Sequence, residues 1–151
     1  MKKILSILLI LLIILFGAFV TNVLVLKKTP WVEIDGKTFI IDVAKTDEEK
    51  AKGLSIYNKL PLEKGMIFVF DTANYYSFWM KDMKFPIDII WIDENKKIVD
   101  ITTNAIPQPM KPDKELSIYN SSTDIKYVLE INAGLSGANH LEVGDTVNFS
   151  F

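Results

Sequence analysis

The stretch Ile87-Asp88-Ile89-Ile90-Trp91-Ile92, with the polar segment Asp93-Glu94-Asn95-Lys96 and then Ile98-Val99-Asp100-Ile101, decides the fold class of this 151-residue chain. Both apolar runs are rich in β-branched and aromatic residues, which are enriched in strands. Two such runs on either side of a polar turn predict a β-hairpin. The centre of the chain is therefore predicted to be antiparallel sheet.

The segments before this hairpin also predict strands. Residues 32–34 and 38–43 flank Asp35-Gly36, a dipeptide that supplies the positive φ of a tight hairpin turn. Residues 65–70 are predicted to form a further strand, and residues 78–81 another. Each is short and bounded by turn residues, as in small all-β domains.

Helical signals are few. Thr46-Asp47-Glu48-Glu49 has the form of a capping box, and Gly53 fits the end of that short helix. Asn132 is predicted to cap a second short helix over residues 133–139. Residues 102–124 contain three prolines and are predicted to be a long loop.

Residues 127–131 and the segment that follows the turn at residues 143–147 complete the predicted strands. Many strands with one or two short helices favour a mainly β (α+β) domain, folded as a small closed or partly closed β-barrel. Residues 29–151 are long enough for one ordinary core and are predicted to be a single β-rich globular domain.

The first 28 residues predict a membrane anchor. An apolar run over residues 4–26 lies between Lys2-Lys3 and Lys27-Lys28, and a helix of about 20 apolar residues spans the hydrocarbon core of a bilayer. The alternative is a cleaved secretory signal, for which Gly17-Ala18 is the nearest approach to a cleavage site. The positive-inside tendency places the first two lysines in the cytoplasm and residues 29–151 outside it. We expect a single-pass protein of the cell membrane with an extracytoplasmic domain.

Charge and composition argue against several kinds of function. Four of the 17 basic residues flank the apolar run, which leaves 13 basic against 19 acidic residues in the domain. An acidic domain without arginine is a poor match for phosphate backbones, so no nucleic-acid partner is expected. The chain has no cysteine, which excludes disulfides and zinc-thiolate sites. It also lacks a phosphate-binding or dinucleotide motif, so no cofactor and no metal are expected.

Phe78-Trp79-Met80-Lys81 is the first candidate for a binding surface. Alternation along a strand places Trp79 and Lys81 on one face, where an indole beside an ammonium group forms a shallow ligand platform. The alternative is that Trp79 is a buried core residue and Lys81 simply points to water.

Asp88 and Glu130 are the second candidate, because each interrupts an apolar strand and an unpaired buried carboxylate is costly. Asp88 is expected to face solvent, to lie in a cleft or to be paired, with Lys81 as a candidate partner. If Asp88 and Glu130 converged, they would form a carboxylate pair suited to proton transfer or to a hard cation. His140 is the only histidine, so a triad with Ser136 is not favoured and a surface position at a helix end is expected for it.

The order and spacing of several motifs resemble the family called domain of unknown function 192, from about Trp31 to the C-terminus. The segments that carry the resemblance are Lys52-Gly53-Leu54, Leu60-Pro61, Gly65-Met66-Ile67-Phe68-Val69-Phe70, Phe78-Trp79-Met80-Lys81, Pro86-Ile87-Asp88-Ile89-Ile90-Trp91-Ile92-Asp93, Val128-Leu129-Glu130-Ile131-Asn132-Ala133-Gly134 and Val143-Gly144-Asp145-Thr146-Val147. The resemblance implies a small, mainly β domain, often exported or membrane-tethered, and says almost nothing about activity. Asp82-Met83 stands where the family pattern usually has Asn-Thr.

Three functional hypotheses follow. The first is a membrane-anchored extracytoplasmic module that binds a small ligand or an envelope protein through Trp79, Lys81, Asp88 and Glu130, without catalytic residues. The second is an envelope hydrolase or carbohydrate-active enzyme that uses Asp88 and Glu130, and it requires that the two carboxyl groups converge. The third is a structural partner of another envelope protein, which predicts an exposed apolar patch and no cavity.

Overall fold

The computed structural model describes residues 10–14, which are helical, and residues 29–151. Within these two ranges no helix is long and apolar enough to cross a membrane. The predicted membrane-spanning segment, residues 4–26, lies outside the described residues apart from 10–14.

The domain at residues 29–151 is mainly β, as predicted. Seven of its strands form one sheet in the order β6-β5-β8-β3-β2-β1-β9, and β4 and β7 pair separately. Neighbouring strands are antiparallel except for β2 and β3, which run parallel. The strand bounds are β1 Trp31–Ile34, β2 Lys37–Ala44, β3 Lys64–Asn74, β4 Ser77–Trp79, β5 Ile87–Ile92, β6 Ile98–Ala105, β7 Ile118–Asn120, β8 Ile125–Asn132 and β9 Val147–Ser150.

The seven-stranded sheet curls so that its two edge strands meet at one end. Lys97, at the start of β6, forms a bridge with Thr146, and the amide of Val147 donates to the carbonyl of Lys96 at 2.9 Å. Elsewhere β6 and β9 are not neighbours in the sheet. The sheet is therefore a curled half-barrel, which corresponds to the partly closed form of the predicted barrel.

Alternation along the central strands divides the core into two layers. On β5, Ile90 and Ile92 point into the concave layer, whereas Ile89 and Trp91 point into a layer on the other side of the sheet. The second layer is covered by the β4–β7 pair and by a short helix. Because both faces of β5 are covered, all six of its residues are buried.

Two short α-helices lie in the domain, α1 at Asp47–Lys52 and α2 at Leu135–Ala138, with 3-10 turns at Gly53–Ile56 and Asp113–Glu115. The capping box of α1 is confirmed: Thr46 Oγ1 accepts from the amide of Glu49, and the Glu49 carboxylate accepts from the amide of Thr46. Gly53 ends α1 as predicted, with φ of 47°. The first hairpin is confirmed as well, with positive φ at Asp35 and Gly36.

Two local predictions are wrong. Gly134, and not Asn132, is the N-cap of α2, since the Asn132 amide donates instead to the carbonyls of Leu60 and Pro61. The predicted loop at residues 102–124 is shorter than expected. β6 continues to Ala105, and β7 begins at Ile118 because it finds a partner in β4.

Candidate functional site

A cleft of about 220 Å³ opens on the side of the sheet that carries α1 and β4. Its walls are aromatic because β3 and β4 both turn rings towards it. These rings are Phe68, Phe70, Tyr76, Phe78 and Trp79, and we call the site the aromatic cleft. Phe70 and Tyr76 stack with ring centroids 3.6 Å apart, and Phe68 meets Phe78 edge to face at 4.9 Å. The rings therefore support one another in a fixed arrangement.

Glu130 lies among the lining residues of this cleft and is only 5% exposed. β8 directs its side chain to the same face as Val128, into the layer that contains Phe68. Within residues 29–151, no group donates a hydrogen bond to its carboxyl, and burial raises the pKa of Glu130 to about 8. Because desolvation disfavours the charged form, this carboxyl is mostly protonated at neutral pH.

Three lysines, Lys50, Lys52 and Lys81, also line the cleft. Each has a carboxylate partner: Asp47 at 3.9 Å, Glu48 at 2.7 Å and Asp113 at 2.8 Å, respectively. The hydrogen bond to Asp113 raises the pKa of the Lys81 ammonium group. The positive charges at this site are therefore partly offset by acids outside the cleft.

Trp79 and Lys81 lie next to each other, but the predicted strand at residues 78–81 is wrong in extent, because β4 ends at Trp79 and Lys81 is in the turn that follows. The Lys81 ammonium lies 5.7 Å from the centroid of the Trp79 ring, and the indole is 45% exposed. The alternative of a buried Trp79 is wrong, because the core tryptophan is Trp91. Trp91 is fully buried, and its Nε1 donates to Thr102 Oγ1 at 3.0 Å.

Asp88 lies outside the aromatic cleft, on the concave face of the sheet. It is fully buried and accepts three hydrogen bonds: from the amide of Asn104 at 2.9 Å, the amide of Ser136 at 2.9 Å and the Ser136 hydroxyl at 2.7 Å. The expected pairing with Lys81 is wrong, since Lys81 pairs with Asp113. Asp88 joins α2 and the end of β6 to β5.

Asp88 and Glu130 do not converge. In the β5–β8 ladder Asp88 is opposite Ile131 and Ile89 is opposite Glu130, so the two carboxyl groups project from opposite faces of the sheet. The carboxylate-pair hypothesis fails for this reason. Within the described part of the chain, no group of three or more metal-ligating side chains is present. His140 is exposed and lies two residues beyond α2, as expected, while Ser136 bonds to Asp88.

The sequence predicted Trp79, Lys81 and Glu130 as site residues but not the other residues that line the cleft. Gly53 is one of them: a Cβ there would lie 3.3 Å from Phe68 Cζ and 4.0 Å from a carboxyl oxygen of Glu130. Gly53 was assigned only to helix termination, and its proximity to Glu130 depends on how α1 packs. Nothing in the sequence around Phe70 and Tyr76 indicates whether their rings line a cleft or lie in the core.

Comparison with known proteins gives a family and a fold. The model of the DUF192 family, described as Uncharacterized ACR, matches residues 31–149. Among solved structures, the chain is similar to a protein of unknown function from Novosphingobium aromaticivorans, with 30% identity, a TM-score of 0.71, and 78% of this chain and 83% of that chain covered. It is also similar to a protein from Sinorhizobium meliloti described as "a putative transcription regulator", with 25% identity, a TM-score of 0.71, and 80% and 93% covered.

No protein of curated function matches the chain. The family match covers most of the sequence and includes every residue of the aromatic cleft. The chain belongs to the DUF192 family.

Proposed function

We propose that this protein is a membrane-anchored, extracytoplasmic module that binds a small organic molecule in its aromatic cleft. The observation that carries the proposal is the carboxyl group of Glu130, buried in an aromatic cleft without a hydrogen-bond donor from the described residues. Among the described residues no fully enclosed side-chain oxygen lacks a partner, so the Glu130 carboxyl oxygens are open to the cleft, where a ligand can reach them. Carboxyl groups with a strongly shifted pKa concentrate at functional sites.

Three of the four residues selected from sequence support this assignment. Trp79, Lys81 and Glu130 line the same cleft, whereas Asp88 does not. Aromatic walls with a few polar groups are typical of small-molecule sites. The cleft volume of about 220 Å³ suits a compact ligand or one group of a larger ligand.

A protein partner is the second candidate, and one observation favours it. Trp79 and Ile118 are opposite each other in the β4–β7 pair, and they are 45% and 50% exposed. Exposed apolar pairs of this kind are common in protein interfaces. An enzyme that uses Asp88 and Glu130 together is not favoured, because the two groups lie on opposite faces of the sheet.

A thermal-shift screen of the full chain tests the proposal, with a library of sugars, amines, carboxylates and short peptides. A ligand that binds only the folded state raises its stability by about 2.7 kcal/mol at 100 times the dissociation constant. We expect at least one compound class to shift the melting temperature, and Trp79→Ala and Glu130→Gln to weaken that shift.

Two control variants change the same residue types outside the cleft. Tyr75→Ala removes another exposed aromatic side chain, and Glu63→Gln removes another negative charge from the surface. Both are expected to keep the ligand response. A cooperative melt without any response across the library would contradict a small-ligand function and favour a protein partner.

A further inference from the structure

We propose that the ligand of the aromatic cleft is an organic ammonium ion, whose cationic group lies against Glu130 and the surrounding aromatic rings. This inference rests on the proposed function and specifies its ligand class. It depends on three features of the cleft: the faces of its rings, the balance of its charges and the isolation of its carboxyl group.

The ring faces of the cleft already attract ammonium groups. Lys50 Nζ lies 4.9 Å from the centroid of Phe70, and Lys81 Nζ lies 5.7 Å from the centroid of Trp79. The electron-rich face of an aromatic ring stabilises a cation, and the effect is larger where water is excluded. Because Lys50 and Lys81 occupy these two faces, a ligand ammonium would lie against the other rings of the cleft, Phe68, Tyr76 and Phe78, beside Glu130.

The charge balance also favours a cation. Lys50, Lys52 and Lys81 each lie within 4 Å of a carboxylate, which offsets part of the positive charge that would repel a cationic ligand. Glu130, in contrast, is in none of the ion pairs formed among the described residues. An ammonium ion would supply the opposite charge that the protein does not provide.

Access to the carboxyl depends on Gly53, at the point where α1 ends. Its φ of 47° is rarely adopted by other residues, and a side chain there would contact Phe68 and approach Glu130. Without a side chain at this position, the gap beside the Glu130 carboxyl stays open to the cleft.

Binding of a cation must be coupled to loss of a proton. The titratable groups around Glu130 are Lys50 and Lys52 from α1, Tyr76 beside β4, and Lys81 after β4. Burial raises the pKa of Glu130 to about 8. Below that pH the Glu130 carboxyl of the unliganded protein is therefore mainly protonated, and it must release its proton when a cation binds. Affinity should increase up to about tenfold per pH unit from pH 6 to 8 and level off above.

Isothermal titration of the full chain with choline and with 3,3-dimethylbutan-1-ol tests this inference. The two probes have the same shape, but only choline is charged. At pH 8 we expect choline to bind at least tenfold more tightly than 3,3-dimethylbutan-1-ol does. At pH 6 we expect a smaller difference between the two probes. Titrations in buffers of different ionisation enthalpy should show proton release on binding at pH 7.

Glu130→Gln keeps the shape of the side chain and removes its charge, so it should lose most of the choline affinity and all of the pH dependence. Glu63→Gln, which removes a charge outside the cleft, should bind choline as the unchanged protein does. Near-ultraviolet circular dichroism of both variants checks that the aromatic packing is intact.

Equal or tighter binding of the uncharged probe, or choline affinity that is constant between pH 6 and 8, would overturn the ammonium assignment. So would the failure of choline, tetramethylammonium and glycine betaine to bind at all. If another compound in the screen binds and Glu130→Gln weakens it, the ligand class is wrong but the binding function stands. If no compound binds, both are wrong.

Discussion

At the scale of single residues, Asp88 and Glu130 show how environment separates two buried carboxyl groups. They lie on neighbouring strands, only one register position apart. Asp88 accepts three hydrogen bonds, one from β6 and two from α2. Glu130 meets aromatic rings and receives none from the described residues. Asp88 therefore links three elements of the fold, whereas the Glu130 carboxyl is open to the cleft and is the group to which we assign the ligand.

The raised pKa of Glu130 predicts that stability falls as pH increases. In the unfolded chain this carboxyl ionises near its usual value of 4.5, but in the folded state it keeps its proton to about pH 8. Between these values the folded state binds the additional proton, so the free energy of unfolding decreases with pH, by several kcal/mol in total. Urea unfolding from pH 4 to 9 measures this loss.

Glu130→Gln has no ionisation to oppose folding and should not show that part of the pH dependence. The difference in stability between variant and unchanged protein should therefore grow from pH 4.5 to 8 and be constant above. Parallel pH profiles for the two proteins would show that Glu130 has an ordinary pKa.

Removal of Asp88 should destabilise the protein without affecting the cleft. Asp88→Ala leaves the amides of Asn104 and Ser136 and the Ser136 hydroxyl without their acceptor, which should cost about 3 kcal/mol or more. Ser136→Ala removes only one of the three bonds and should cost about 1 kcal/mol. Urea unfolding gives both values.

Asp71→Ala is the control, since Asp71 is exposed, and it should be neutral. Any ligand that binds the cleft should bind folded Asp88→Ala with unchanged affinity. Loss of binding at a temperature where the variant is folded would place Asp88 in the site after all.

At the scale of elements, the cleft depends on how β3 and β8 pair. Both strands contribute to it from the same face, β3 with Phe68 and Phe70 and β8 with Glu130. α1 covers the other side of the opening, and its capping box fixes where the helix begins. The site is therefore built on regular elements, which hold side chains more rigidly than loops do.

Gly65 allows β3 to approach β8 closely, so Gly65→Ala should destabilise the sheet. A Cβ at Gly65 would lie 2.7 Å from the carbonyl oxygen of Glu130, and backbone cannot rotate away as a side chain can. We expect a loss of about 1–3 kcal/mol in urea unfolding. Gly137→Ala, which places a Cβ in open space within α2, should be neutral or slightly stabilising. If the two substitutions changed the free energy of unfolding equally, β3 and β8 would not be as close at Gly65 as the structure indicates.

At the scale of the whole molecule, the half-barrel separates an aliphatic face from the face that carries the aromatic cleft. The concave layer contains Asp88 and is filled with aliphatic side chains, whereas the opposite layer carries the aromatic cleft. Substitutions in the cleft can therefore change the ligand without disturbing the concave core. The proposed anchor at residues 1–28 would tether this domain to a membrane surface.

The anchor predicts where the protein is found in fractionated cells. The full chain should sediment with membranes and resist extraction at alkaline pH, because transfer of an apolar helix of this length from the bilayer to water is strongly unfavourable. Deletion of residues 1–28 should release the domain into the soluble fraction. A mature protein whose mass shows cleavage near Gly17-Ala18 would establish the secretory-signal alternative instead.

Part of the fold and of the candidate site could be predicted from local patterns. Asp35-Gly36 predicted the first hairpin, because positive φ is a property of two adjacent residues. The sequence placed Trp79 and Lys81 near each other, but β4 ends at Trp79 and the turn that follows sets the position of Lys81. The extent of β6 and β7 could not be predicted, since β7 depends on a partner strand, β4, about 40 residues away along the chain.

The sequence by itself determined the fold class, the two hairpins, the start and end of α1, and the family. These depend on side-chain alternation, turn residues and caps, all of which act over a few neighbouring residues. Only the tertiary structure decided that Glu130 joins Trp79 and Lys81 in one cleft while Asp88 turns to the opposite face. The register between strands settles which side of a sheet a residue occupies relative to residues on another strand. That register is fixed by packing of the whole domain and cannot be read from either strand alone.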